Sequence, residues 1–184
     1  MAGYEEQALL IKVQKGDLDA YGMVVQEHQG AVYNVCLRIL GNQQEAEDLV
    51  QEAFLRAYRN IAHYDPGRPF GPWMRTLAAN LCYNHLQKAR LERVPLEDEQ
   101  DQVADKPKRN PEALLELSQR DQQLYRAIWQ LPDLQRTALE LRHFQDLSYK
   151  EMAEVMKLPL NTVRSHLYRA RRKLAEVLEE NKHD

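Results

Sequence analysis

LSYKEMAEVMKLPLNTVRSHLYRARRKL, residues Leu147 to Leu174, decides how the C-terminal part of this chain folds. Ser148 and Glu151 stand in S-x-x-E spacing, in which each side chain satisfies a backbone donor left open at a helix start. The spacing predicts a helix from Tyr149 through Met152, Ala153 and Met156. It must stop before Pro159, because proline restrains the residue ahead of it and donates no hydrogen bond. Asn161 is the candidate cap of a second helix, along which Val163, Leu167, Ala170 and Leu174 recur at helical spacing as a buried stripe. A rotation of roughly 100° per residue puts Ser165, Tyr168, Arg169 and Arg172 opposite that stripe, with Arg164, His166, Arg171 and Lys173 on its flanks. Every cation avoids the core. Two helices, a short turn and a cationic outer face make a helix-turn-helix suited to duplex DNA. In such a unit the N-terminal part of the second helix meets base edges, while the surrounding cations meet phosphates. Arg164, Ser165, His166 and Arg169 fit the first role; Arg171, Arg172 and Lys173 fit the second.

Working outward, the 184-residue length allows one large domain or two small ones. A content of 43% hydrophobic and 29% charged residues is that of a folded, soluble chain. The net charge is −3, so any contact with nucleic acid must come from local patches and not from the charge of the whole. No apolar leader opens the sequence, and no stretch approaches the roughly 18 apolar residues of a membrane span. Neither secretion nor membrane insertion is expected. Cys36 and Cys82 sit within apolar helical patterns and read as buried thiols, which fits a reducing cytoplasm. Cys82 and His85 form a C-x-x-H pair, but no second ligand pair lies nearby, so no metal or other cofactor is expected.

Glycine is sparse and alternating strand patterns are absent, so the chain reads as all-α. Helices are predicted near Glu5–Lys15, Asp17–His28, Ala31–Leu40, Gln43–Ile61 and Pro72–Arg90. Gly16 with Asp17, and Gly41 with Asn42, are stop-then-cap pairs, the second with Glu45 in capping-box spacing. Asp65, Pro66 and Gly67 make a turn. Between Glu92 and Glu112 the periodicity lapses into PLEDEQDQVADKPKRNPE, acidic and proline-rich, the best linker in the chain. Two small helical domains therefore follow, over 1–93 and 112–184, joined by an acidic flexible linker over 94–111. There is no glycine-rich phosphate loop, no H-E-x-x-H and no nucleophile motif, so an enzyme is not expected.

Two further surfaces look functional. On the Gln43–Ile61 helix, Ala46, Leu49, Val50, Ala53, Phe54, Ala57 and Ile61 share one face. Leu55 points away from them among Asp48, Gln51, Glu52 and Arg59. It is either a small protein-binding anchor or an ordinary exposed leucine. In FGPWMRTLAANLCYNHLQKAR, Trp73, Leu77 and Leu81 define an apolar side, while Thr76, Asn80, Tyr83 and Gln87 lie on another, with Asn84 at its margin. Arg75, Lys88, Arg90 and Arg93 add positive charge nearby. Stacking groups beside cations suit unpaired bases.

In order along the chain, LRILGNQQEAEDLVQEAFLRAYRN (Leu37–Asn60), PFGPWMRTLAANLCYNHL (Pro69–Leu86), the acidic linker and LPDLQRTALELRHFQDLSYKEMAEVMKLPLNTVRSHLYRARRKL (Leu131–Leu174) resemble the bacterial extracytoplasmic-function (ECF) sigma factors. These are the compact promoter-recognition subunits of RNA polymerase. The resemblance implies that Asp48, Gln51, Glu52, Leu55 and Arg59 dock on the clamp helices of the polymerase's largest subunit. It implies that the loop from Tyr64 to Pro72, with Arg68 and Phe70, and the helix after it, with Arg75, Thr76, Asn80, Tyr83, Asn84, Gln87 and Lys88, capture the promoter's minus-ten element partly as separated strand. Trp73 matches the family pattern without being assigned to strand separation. The C-terminal domain would read the minus-thirty-five element as duplex through Arg164, Ser165, His166, Tyr168, Arg169, Arg171, Arg172 and Lys173 while binding the polymerase flap. Asn161 stands where many relatives carry glycine, and His166 where a second basic residue is frequent. Family membership also implies an anti-sigma partner.

Overall fold

The computed structural model describes residues 3–93, 114 and 118–180, and within these every regular element is helical. The linker expected over 94–111 lies outside the described residues. The N-terminal half is built from α1 (Gly3–Gln14), α2 (Leu18–Leu40), α3 (Gln43–Asn60), a single 3-10 turn (Ile61–His63) and α4 (Phe70–Arg93). The C-terminal half follows as α5 (Gln119–Trp129), α6 (Asp133–His143), α7 (Tyr149–Met156) and α8 (Leu160–Glu180).

The stop-then-cap pairs work as their chemistry requires. Asp17 accepts the Ala20 amide at the head of α2, and Asn42 accepts the Glu45 amide at the head of α3. Gly41 ends α2 in the left-handed region at φ 70°, which glycine adopts without steric cost. The break expected between His28 and Ala31 is absent: α2 runs unbroken through Gly30. One interior glycine costs a helix only about 1 kcal/mol. Ala20, Val24, Val32, Val35, Cys36, Ile39 and Leu40 continue one buried stripe along the whole helix. Against them pack Ala46, Ala53, Phe54 and Ala57 of α3 and Phe70, Met74, Ala78 and Cys82 of α4. Cys36 and Cys82 are free buried thiols, and burial together with the neighbouring Cys36 sulfur pushes the Cys82 thiol well up. His85 points elsewhere, 3.6 Å from Glu45, so the C-x-x-H pair diverges.

In the C-terminal half, Ser148 and Glu151 form the reciprocal capping box and α7 ends with Lys157 in the left-handed region at φ 51°. Asn161 is not the cap of α8. The helix begins at Leu160, two residues earlier than an Asn161 cap would place it, and the Pro159 carbonyl accepts the Thr162 and Val163 amides at 2.9 and 3.1 Å. Pro159 thus stands just outside the helix, where its carbonyl is the first acceptor and its missing N–H leaves no donor unpaired. Val163, Leu167 and Ala170 are buried against α6 and α7 as the stripe required.

The two halves meet along a polar seam that the sequence did not disclose. The C-terminal end of α2 abuts α6, and α4 packs against α6 and α7. Arg38 clamps Glu140 with two hydrogen bonds of 2.6 and 2.9 Å, and also donates to the Tyr125 hydroxyl at 3.2 Å. Trp129 donates its indole N–H to the Leu37 carbonyl at 3.0 Å, and the buried Arg136 guanidinium donates to the Ile39 carbonyl. Those acceptors belong to the last turn of α2, where the helix dipole is negative, so a buried cation is well matched there; the Leu37 carbonyl takes the indole N–H in addition to the Gly41 amide.

Candidate nucleic-acid interface

The outer face of α8 is presented as its periodicity requires. Arg164, Ser165, Tyr168, Arg169, Arg171, Arg172 and Lys173 are all exposed, Tyr168 by 67%, while His166 is half-buried on the flank. Two neighbours shape this face. The Arg164 guanidinium lies 5.4 Å from the centre of the Tyr149 ring, and Arg142 lies 5.6 Å from the same ring. Arg171 donates to His143 Nε2 at 3.0 Å. Burial, then the charges of Arg171 and Arg142, hold the His143 pKa below its ordinary value. Accepting from Arg171, the imidazole leaves the positive charge of this edge to Arg142 and Arg171, with the Asp146 carboxylate nearby.

On α4 the expectations divide. Asn84 and Lys88 are exposed, and Arg75, Thr76, Asn80 and Gln87 are half-buried, with Asn84 donating to Asn80 Oδ1 at 3.1 Å. Arg75 is turned across the seam and donates to Gln145 at 2.9 Å. Tyr83 does not present its ring to solvent: it is 6% exposed, and burial raises its hydroxyl pKa. The reason is that α4 packs against α2, α3 and α6 together, so its buried arc is wider than the single apolar stripe visible in the sequence.

The loop before α4 is a tied turn over an aromatic cluster. Asp65 accepts the Gly67 amide at 2.9 Å, and the Tyr64 hydroxyl donates to the Arg68 carbonyl at 2.8 Å. Burial, with the charges of Glu6 and Asp65, pushes the Tyr64 hydroxyl up to about 12, so it remains a donor at neutral pH. Arg68 is exposed, but Phe70 is fully buried, so its ring is not presented on the surface. It packs with His28, Tyr64 and Trp73 at ring-centre distances of 5.3, 5.7 and 5.4 Å, and Trp73 lies 4.5 Å from Tyr64. Phe70 and Trp73 thus support the loop from beneath. Helix α1 fixes it from the side: Gln14 donates to the Ile61 and Tyr64 carbonyls at 2.9 and 2.7 Å. Glu6 meets His28 at 2.7 Å and accepts the Phe70 amide at 3.3 Å. None of these ties was signalled by sequence spacing, since each joins residues far apart in the chain.

On α3, Leu55 is 53% exposed, with Asp48, Gln51 and Arg59 also exposed and Glu52 half-buried in an ion pair with Arg56. An apolar side chain thus stands outward within a charged rim.

Residues 24–92 match the family described as Sigma-70 region 2, and residues 112–174 match Sigma-70, region 4. Full-length relatives agree. The chain is 34% identical to the RNA polymerase sigma-H factor of Pseudomonas aeruginosa, over 95% of this chain and 94% of that protein. It is 35% identical to the ECF RNA polymerase sigma factor SigW of Bacillus subtilis, over 91% and 93%. This chain belongs to the ECF RNA polymerase sigma factors. As a sigma factor it serves promoter-specific transcription initiation, with regions 2 and 4 binding core RNA polymerase and promoter DNA. Its fold is similar to that of the sigma factor RpoE solved with the anti-sigma factor NepR from Bartonella quintana, with a TM-score of 0.59 and 24% identity over 86% of this chain and 96% of that one. It is also similar to CnrH solved with the cytosolic domain of CnrY, with a TM-score of 0.52 and 21% identity over 95% and 97%. Among the described residues, no helix of the sigma factor is long and apolar enough to cross a membrane.

Proposed function

We propose that this sigma factor reads a promoter with two separate surfaces whose spacing is set by the polymerase, and that it performs no catalysis itself. The observation that carries the reading is the face of α8, where Arg164, Ser165, Arg169, Arg171, Arg172 and Lys173 all stand outward from a buried stripe at the start and middle of a recognition helix. Arg164, Ser165, His166 and Arg169 read bases of the minus-thirty-five duplex, and Tyr168, Arg171, Arg172 and Lys173 line its backbone. Arg68, Arg75, Thr76, Asn80, Asn84, Gln87 and Lys88 handle the minus-ten element as separated strand, with Phe70 and Tyr83 left as packing groups. Capture of unstacked bases must offset a few kcal/mol per extruded base.

Leu55, with Asp48, Gln51, Glu52 and Arg59, docks on the clamp helices of core polymerase, and the C-terminal domain, residues 112–184, on its flap. The N-terminal domain, residues 1–93, and the linker, residues 94–111, complete the arrangement. Each domain then binds weakly alone and strongly together, because the polymerase raises the effective concentration of one for its element once the other is bound. The anti-sigma factors named with RpoE and CnrH suggest that a protein of that class masks these surfaces in the cytoplasm.

Transcription with core polymerase on a matched promoter tests the reading, and no promoter-specific transcript from the wild-type chain overturns it. Arg164→Ala should weaken specific duplex binding by about 1–3 kcal/mol and relax selection at the base pair it reads. Leu55→Asp should weaken polymerase binding while leaving the thermal transition in place, because Leu55 lies outside the core. Full polymerase affinity in a folded Leu55→Asp chain removes the docking assignment.

A further inference from the structure

We propose that Gln14 and Glu6 of α1 are positioning residues for the loop before α4: they hold its two ends from a single helix and so set the base preference at the minus-ten element. The role rests on the proposed reading of that loop as a contact to the separated strand, and names what fixes the loop's shape.

The loop, residues 64–69, joins the 3-10 turn to α4. At its entry one side-chain nitrogen makes both ties. Gln14 Nε2 donates to the Ile61 carbonyl at 2.9 Å and to the Tyr64 carbonyl at 2.7 Å, and Ile61 opens the 3-10 turn while Tyr64 follows it. At its exit Glu6 Oε2 accepts the amide of Phe70, the first residue of α4, at 3.3 Å. A carboxylate at that place also faces the positive end of the helix dipole. The other Glu6 oxygen is held by His28 at 2.7 Å, with the Glu6 side chain 16% exposed. Glu6 and Gln14 stand about 12 Å apart along α1 at 1.5 Å of rise per residue. The helix that carries them is rooted in the core by Leu10 and Val13, both buried.

Between these ends the loop closes on itself. The Asp65 carbonyl accepts the Arg68 amide at 3.0 Å, the Asp65 side chain accepts the Gly67 amide, and the Tyr64 hydroxyl donates to the Arg68 carbonyl. Asp65, Gly67, Arg68 and Pro69 are left exposed as its outer edge. The internal ties give that edge a shape, but they do not orient it on the helical body. Ring packing of Tyr64 on Phe70 and Trp73 tolerates small slides, whereas hydrogen bonds to the Ile61, Tyr64 and Phe70 backbone are directional. A loop held in one orientation before binding loses little freedom when a base arrives and discriminates among bases by fit; a loose one pays for its ordering and accommodates several. The residue types suit the task. An amide nitrogen carries two protons and serves two carbonyls at once, while a carboxylate of the same shape carries none and would oppose them.

The test uses the full chain with core polymerase, on a promoter library randomised at both elements, so that transcripts report the two base preferences together. Gln14→Glu, which keeps the shape and removes both donors, should flatten the minus-ten preference several-fold and leave the minus-thirty-five preference unchanged. A chain that merely folds less well would lower all transcripts alike. Glu6→Ala should have the same effect, and Glu6→Gln, whose side-chain oxygen still accepts the Phe70 amide, should keep the wild-type preference. Gln14→Glu and Glu6→Ala change the net charge in opposite directions, so a shared effect is not one of charge. In the free chain, Gln14→Glu should speed hydrogen exchange at the Gly67 and Arg68 amides and leave the amides of α8 unchanged. Unchanged exchange in the loop, or faster exchange with an intact minus-ten preference, overturns the positioning role. A wild-type chain that transcribes with no minus-ten preference overturns the promoter reading of the loop, and the positioning role falls with it.

Discussion

Arg171 and His143 show how one residue's charge is set by its neighbours. The imidazole accepts from Arg171 at 3.0 Å, and burial followed by Arg171 and Arg142 lowers its pKa. In the unfolded chain the same imidazole titrates near its ordinary value, so over the window just below that value the unfolded state binds more protons. This group's contribution to stability therefore falls as pH drops through that window. Replacing Arg171 with alanine should move the His143 pKa up toward its ordinary value, as read from the ring resonances in an NMR titration, and an unmoved value would exclude Arg171 as a cause. At this scale the face of α8 was legible because one periodicity assigns every residue from Val163 to Leu174 to a side. Phe70 and Tyr83 were not legible as core residues. Their burial depends on His28 and on helices packed from several directions, which a single rotation along α4 does not register.

Elements whose boundaries are set by local chemistry were read closely. The Ser148 and Glu151 box opens α7 where the spacing placed it, and its hydrogen bonds from Ser148 hold the Glu151 pKa below the ordinary carboxylate range. Ser148→Ala should therefore cost about 1 kcal/mol, measured as a lower urea midpoint at unchanged slope, and an unshifted midpoint would deny the cap its role. The Glu151 contribution is present above the ordinary carboxylate pKa and is lost as pH falls through the depressed one. Two boundaries were missed for opposite reasons. Gly30 suggested a break in α2, yet a continuous stripe of buried side chains outweighs the propensity of one residue. Asn161 has the better capping side chain, yet Pro159 takes the cap position, its carbonyl accepting the first amides of α8 and its ring leaving no N–H to satisfy.

The whole molecule was legible as two helical halves, and its closure was not. Nothing in the spacing of Arg38, Trp129, Arg136 and Glu140 joins them, since Arg38 and Glu140 are separated by 102 residues. Trp129 offers a direct report on the assembled state. It is 3% exposed, and its indole N–H donates to the Leu37 carbonyl across the seam. In a free Trp73→Phe chain, where Trp129 is the remaining indole, adding Arg38→Ala should shift emission to longer wavelength as the loosened seam lets water reach that indole. Unchanged emission in that folded variant would mean that Arg38 does not hold the seam closed.

The continuity of α2 then acquires a mechanical meaning. At 1.5 Å of rise per residue, about 15 Å of unbroken helix separates His28, which packs on Phe70 beneath the loop, from Arg38 at the seam. With no hinge at Gly30, α2 is a lever arm: a tilt imposed at its Leu40 end is delivered to the floor of the loop, so the loop's geometry and the grip of one half on the other are two readings of a single rod's angle.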